Sequence, residues 1–249
     1  MSDGAALALD ADHVAELLSH DACAAADEVR RAARAGDIEA QALFAQMLIE
    51  GKGIERDPAE ALHWYSLAAN SGHALAMNML GRCHELGTGT PIDFERAAAW
   101  YRKAAKKGLD WGMYNYAHLL ATGRGVKPDR AQAFAWYRRA ADLGHAKSMN
   151  FVGRYYEEGW ETEADAAVAF DWYRRSAEGG DFRGQASYAA ALTSVGRIDE
   201  AVRWLELALA SGTPVFLQRL AEQLDGSPHA EIRDIATRAR SRLTPLLPG

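Results

Sequence analysis

The sequence predicts an all-α solenoid of stacked antiparallel helix pairs, and three recurrences predict it. The aromatic doublets Trp64-Tyr65, Trp100-Tyr101, Trp136-Tyr137 and Trp172-Tyr173 follow one another at intervals of 36 residues. An aspartate stands seven residues before each tryptophan (Asp57, Asp93, Asp129, Asp165) and an alanine three before it (Ala61, Ala97, Ala133, Ala169). Glycines close the frame at Gly36, Gly72, Gly108, Gly144 and Gly180. Self-similarity at this length marks supersecondary units that bury their apolar faces only by stacking on their neighbours. Such an array favours a binding surface over an active site.

The elements follow in chain order. Asp21, Ala25, Ala32, Ala33 and Gly36 are in register with the later copies, but Glu28 and Val29 replace the aromatic doublet. Residues 21–35 therefore read as a degenerate second helix, and 1–35 as a helical cap with a more polar outer face. From Asp37 to Glu50, Ala40, Leu43, Phe44, Met47 and Leu48 form an apolar stripe at helical spacing. Later copies of this first helix carry Leu80 and Cys83, Tyr116 and Leu119, and Val152 and Tyr155. One column stays small at Ala45, Gly81, Ala117 and Gly153, as expected where the two helices of a hairpin cross closely. Glycine pairs in Gly51-Lys52-Gly53-Ile54, Gly87-Thr88-Gly89-Thr90 and Gly123-Arg124-Gly125-Val126 then turn the chain.

The second helix of the pair has both ends specified. Asp57 supplies an N-cap oxygen, Pro58 fits the first helical position, and Gly72 suits a left-handed C-terminal cap. Between them Ala61, Trp64, Tyr65, Ala68 and Ala69 make one stripe, large in the middle and small at both ends. The doublets are expected to be buried between units, so that emptying any of the four tryptophan sites costs roughly 3–5 kcal/mol.

This arrangement, a small column, Gly-x-Gly, Asp, then Ala-x-x-Trp-Tyr-x-x-Ala-Ala and Gly, resembles the Sel-one-like repeat family, relatives of tetratricopeptide repeats. The resemblance covers four units of 36 residues over 36–180. It implies a right-handed α-solenoid, a tetratricopeptide-like superhelix, that acts as an adaptor, scaffold or regulator through protein contacts. The pattern then departs. Glu161 stands where the second turn glycine is expected, which predicts a different fourth turn. The segment 181–212 is a shorter, tetratricopeptide-like unit, with Trp204 only 32 residues after Trp172 and Leu205 in place of tyrosine. Residues 213–249 read as capping helices, with Arg238, Arg240 and Arg242 suited to a helix C-terminus and Pro245 and Pro248 ending regular structure.

Composition narrows the function. A formal net charge of −6 over 249 residues gives no general attraction for phosphate backbones, so nucleic acid is not an expected partner. No stretch approaches the length of a membrane span and the first residues have no basic region before their apolar ones, so a cytoplasmic protein is expected. Cys23 and Cys83 lie in non-equivalent positions, and Cys83 shares a core column with Met47, Leu119 and Tyr155, which makes it a structural thiol. The turn glycines lack the strand and the Gly-Lys-Ser/Thr signature of a phosphate loop. Eight histidines show no metal-ligand spacing, and His73 and His145 read as helix-terminal surface residues. No enzyme, metal or cofactor is expected.

The family resemblance implies that the first helix of each pair lines the concave face. The columns it leaves outside the core hold Glu39, Ala42 and Gln46; Leu75, Asn78 and Arg82; Trp111, Tyr114 and His118; Lys147, Asn150 and Arg154; and Arg183, with Asn115 alongside. The candidate binding residues are Asn78, Arg82, Trp111, Tyr114, Asn115, His118, Lys147, Asn150, Arg154 and Arg183. Amides would hold a partner backbone, Trp111 and Tyr114 would anchor side chains, and the basic residues would take an acidic side chain or terminal carboxylate. The competing reading is a solvated face whose charges pair with Glu85, Glu157 and Glu158. Two other functions are weighed against a protein-binding monomer. One is an exported enzyme or binder of β-lactam or cell-wall ligands, as in disulfide-stapled family members; the other is a self-associating structural element.

Overall fold

Local chemistry places the helices, and stacking then selects which side chains disappear. The computed structural model describes residues 11–243. It forms two compact units, Met1–Asp129 and Arg130–Gly249. The first contains α1 (Ala11–His20), α2 (Ala22–Arg34), α3 (Ile38–Glu50), α4 (Pro58–Asn70), α5 (Ala74–Leu86), α6 (Phe94–Lys106) and α7 (Asp110–Thr122). The second contains α8 (Arg130–Asp142), α9 (Ala146–Glu158), α10 (Ala166–Glu178), α11 (Phe182–Ser194), α12 (Ile198–Ser211), α13 (Pro214–Leu224) and α14 (Ala230–Leu243). Among the described residues all regular structure is helical, and within each unit successive antiparallel hairpins pack on one another as in an α-solenoid. Pro245 and Pro248 lie outside the described residues.

The aspartates cap as their positions require. Asp57 accepts from the backbone N–H groups of Ala59 and Glu60, and Asp165 from those of Ala167 and Val168. At the start of the first helices, Asp37 and Asp181 do the same for Ala40 and Gly184. His73 and His145 occupy the equivalent position and are caps rather than surface residues. His73 Nδ1 accepts from Ala76 N at 3.2 Å, and His145 Nδ1 from Ser148 N at 3.3 Å. His145 is buried, and its ring also meets the Ser148 hydroxyl at 2.9 Å.

Tyrosine, more than tryptophan, is the constant core residue. Tyr65, Tyr101, Tyr137 and Tyr173 are all buried. Three of their hydroxyls donate at 2.6 Å to residues of the preceding helix: Tyr65 to Gln46, Tyr101 to Glu85 and Tyr173 to Glu157. Burial, reinforced by these carboxylate neighbours, pushes the Tyr101 and Tyr173 phenols far above the ordinary range. The small column exists for these rings: a Cβ on Gly81 would lie 2.7 Å from Tyr101, and one on Gly153 2.6 Å from Tyr173. The tryptophans divide. Trp64 and Trp172 are buried, whereas Trp100 and Trp136 are half-exposed, each covered by a cation one turn on, Lys103 and Arg139 respectively. The uniform burial expected for the four doublets is therefore corrected.

The turn glycines are held by backbone contact between repeats. Gly53, Gly89 and Gly125 have φ of 70°, 71° and 69°. A Cβ there would fall 1.8 Å from the Ala22 carbonyl oxygen, 2.1 Å from that of Pro58 and 2.2 Å from the Phe94 backbone. Glu161 was expected to alter the fourth turn, but it adopts φ 58°, the same left-handed conformation. Stacking imposes that conformation on an L-residue at a cost of about 1–2 kcal/mol.

Compensating exchanges preserve other contacts. Arg124 lies 4.1 Å from the Phe94 ring, and one repeat later the roles reverse, with Arg130 5.2 Å from the Trp160 ring. Ser176 occupies a column filled by Ala68, Ala104 and Ala140; its hydroxyl donates to the Ala146 carbonyl at 2.7 Å, in space that a Cβ on Gly184 would need. In α14, Arg238 and Arg240 pair with Glu206 and Asp225, and Arg242 donates to the Leu209 carbonyl at 2.6 Å. These contacts join α14 to α12 and to the C-terminal cap of α13.

Three stability outcomes follow from this packing. Glu161→Gly is expected to stabilise unit two by about 1 kcal/mol, while Gly125→Ala destabilises, as read from urea denaturation. Trp64→Ala and Trp172→Ala should each cost roughly 3–5 kcal/mol and Trp100→Ala less than half as much. Burial raises the Asp181 carboxyl pKa, so the unfolded chain ionises first and stability is lost as pH rises towards the folded value. Relative to the parent, Asp181→Asn should therefore gain stability between pH ~3 and ~7, in denaturation measured at both ends of that range.

Candidate functional site

The first helices of the unit-one hairpins expose what their core stripes leave over. On α3 these residues are Glu39 and Gln46, with the buried Ala42 and half-buried Leu43 at the stripe edge; on α5 they are Leu75 and Arg82, with Met79 at the edge. The two rows face each other across a groove of about 760 Å³, completed by Asp37 and His73 at the helix starts and Tyr65 beneath. This volume is in the range of pockets that hold a small ligand or a short peptide segment. Its floor is apolar: Ala42 is buried, Leu43 and Met79 are half-buried, and Leu75 remains 50% exposed.

The two ends differ in charge. At the start of the helices Glu39 lies 3.2 Å from His73 Nε2. The other ring nitrogen of His73 accepts the Ala76 N–H. Glu39 itself is 75% exposed. Two turns on, Gln46 accepts the Tyr65 hydroxyl and donates to Glu50, while the Arg82 side chain is exposed and makes no ion pair among the described residues. Glu85 does not neutralise Arg82: it accepts from Tyr101 and lies 3.8 Å from Arg124. Cys83, on the buried side of α5, has its thiol pushed up to about 11 by burial, which leaves it inert.

The sequence-derived candidates separate into groups. Arg82 lines the groove. Trp111, 43% exposed, meets Tyr114 edge-on at 6.3 Å, and Tyr114 stacks on His118 at 6.5 Å, an aromatic row along α7 in unit one. Asn78 is buried, and its side-chain oxygen accepts from Asn115 at 2.8 Å, so this pair ties α5 to α7 instead of meeting a partner backbone. Lys147, Asn150, Arg154 and Arg183 belong to unit two. Asn150 is buried there, Arg154 is drawn to within 5.5 Å of the Trp160 ring, and Arg183 lies over Phe182 at 4.7 Å. Glu157 is committed to Tyr173.

The candidate list missed most of the groove. Glu39, Ala42, Gln46 and Leu75 stand in the outer columns read from the sequence, whereas Leu43 is assigned to the core stripe there and Met79, its equivalent one repeat on, is not singled out. The usable signal was their position at the stripe edge, where a helix side chain is shared between core and surface. His73 was missed because its capping role hid its second nitrogen. Among the described residues no three His, Cys, Asp or Glu side chains are grouped to hold a metal ion, and no helix is long and apolar enough to cross a membrane.

Comparison with known proteins adds to this geometry. The model of the Sel1 repeat matches residues 38–73, 74–109, 112–145, 146–181 and 194–213. A Sel1 repeat protein from Oxalobacter formigenes is similar in structure, with TM-score 0.75 and 25% identity over 93% of this chain and 99% of that one. The protective antigen c5321 of uropathogenic Escherichia coli, which displays an SLR fold, matches with TM-score 0.69 and 25% identity; it covers 94% of this chain but only 56% of its own. The immunity protein Pa5087 of Pseudomonas aeruginosa, 16% identical with TM-score 0.53 over 83% of this chain and 81% of its own, shares the fold. No curated protein matches the sequence significantly.

The amide pair and the groove arginine are separable by stability. Asn78→Ala is expected to cost about 1–3 kcal/mol by removing a buried amide and orphaning that of half-buried Asn115, whereas Arg82→Ala should change unfolding by less than about 0.5 kcal/mol in chemical denaturation.

Proposed function

Because the chain belongs to the Sel1 repeat family, a fold that typically serves as a non-catalytic interaction scaffold, we propose that it is an adaptor that holds a segment of a partner protein against the α3–α5 groove. The observation that carries this reading is an open apolar floor bordered by an unpaired arginine. Leu75 is 50% exposed beside Met79 and Leu43, and Arg82 stands at the rim with no carboxylate of its own. Apolar surface held open in this way supports a partner side chain, and the guanidinium supports an acidic group next to it. The Trp111–Tyr114–His118 row extends the same reading along α7.

Arg154, Lys147 and Arg183 give unit two a basic surface of its own, which we assign to secondary contacts with the same class of partner. Cys23 and Cys83 are both free, which supports a reducing, cytoplasmic setting. Affinity capture from the source cell tests the proposal, with the parent chain beside a Leu75→Asp/Arg82→Ala variant of unchanged helical circular dichroism. A partner retained by the parent and lost by the variant is expected. Equal capture by both would refute use of the groove.

A further inference from the structure

Resting on that reading, we infer that the groove is polar along its length, and that its occupant is a protein segment with a basic group at one end, apolar side chains between, and an acidic group at the other. The placement of charge carries the inference. Asp37 and Glu39 stand at the starts of the groove helices, and Arg82 stands near the C-terminal end of α5. Glu39 is 75% exposed and Asp37 begins the same helix, so two carboxylates face a single histidine at that end. At the other end the exposed Arg82 guanidinium stands on the groove wall, while Glu50, which accepts from Gln46 and keeps its own charge, lies outside the lining.

The spacing sets the length of the recognised segment. Glu39 and Gln46 are seven residues apart on α3, as are Leu75 and Arg82 on α5. At about 1.5 Å per helical residue, the acidic and basic ends are separated by roughly 10 Å. An extended chain rises about 3.3 Å per residue, so complementary charges on the occupant stand about three residues apart. The intervening side chains then meet Ala42, Leu43, Leu75 and Met79. A segment with two like charges would place one of them against its own sign, which weakens binding and sets specificity.

Four fluorescent peptides, acetylated and amidated, test this by polarisation against the full chain: Lys-Leu-Leu-Glu, Lys-Leu-Leu-Lys, Glu-Leu-Leu-Glu and Ser-Leu-Leu-Ser. The parent should bind the mixed-charge peptide at least about fivefold more tightly than either like-charge peptide. Arg82→Glu should transfer the preference to Lys-Leu-Leu-Lys, a change of sign that loss of stability does not produce. Leu75→Ser/Met79→Ser should weaken all four. If charge preference is absent or unmoved by Arg82→Glu while the apolar double variant still weakens binding, the polarity is wrong and the groove stands. If the apolar variant binds like the parent, or no peptide binds by about 1 mM, both fall.

Discussion

Backbone contact between successive repeats is the constraint on which the rest of the molecule depends. The second glycine of each interhelical turn presses on the first turn of a helix 31 residues earlier, Gly53 on Ala22, Gly89 on Pro58 and Gly125 on Phe94. No side chain fits in the first three of these contacts, and the left-handed φ that brings the chain close is the one glycine adopts at least cost. Glu161 shows how strict the geometry is, since the turn keeps its conformation even where an L-residue must bear it. With the turns fixed, the buried tyrosines land over the small column, and the hairpins have one way to stack.

Within that frame, substitutions occur in compensating pairs. The exchange of cation and ring between Arg124–Phe94 and Arg130–Trp160 keeps one attractive contact at the same place in the stack. Gly184 gives up a Cβ so that Ser176 can hold its hydroxyl against the Ala146 carbonyl. Both exchanges conserve volume and hydrogen bonding across a repeat boundary, which is where a close-packed interior has least tolerance. They also explain why unit two departs from the consensus without losing the helical order.

The same packing leaves the outer columns of the first helices free of structural duty, and the α3–α5 groove is made from them. Its apolar floor is the margin of the core, and its charged ends come from helix-terminal positions. Not every outer residue is available. Asn78 and Asn115 spend their amides on each other. What remains for a partner in unit one is a strip of exposed leucine, methionine, arginine and aromatic surface.

The repeat register, the helix boundaries, the aspartate caps and the family were legible in the chain, because each rests on local chemistry repeated at a fixed interval. The sequence also located the columns of the groove. It did not distinguish Trp64 from Trp100, assign His73 and His145 to capping, bury Asn78, or foresee that Glu161 would accept a glycine's conformation. Three of those outcomes depend on atoms supplied by another helix: the Phe44 ring against Trp64, the amide of Asn115 on Asn78, and the helix start against which the equivalent turns press. The cations over Trp100 and Trp136 and the histidine caps are contacts within one helix, set by which rotamer the packed chain leaves open. Periodicity determines which face of a helix turns inward. How deeply a given side chain is buried, and whether its polar group is already taken, is decided only when the neighbouring hairpin packs against it.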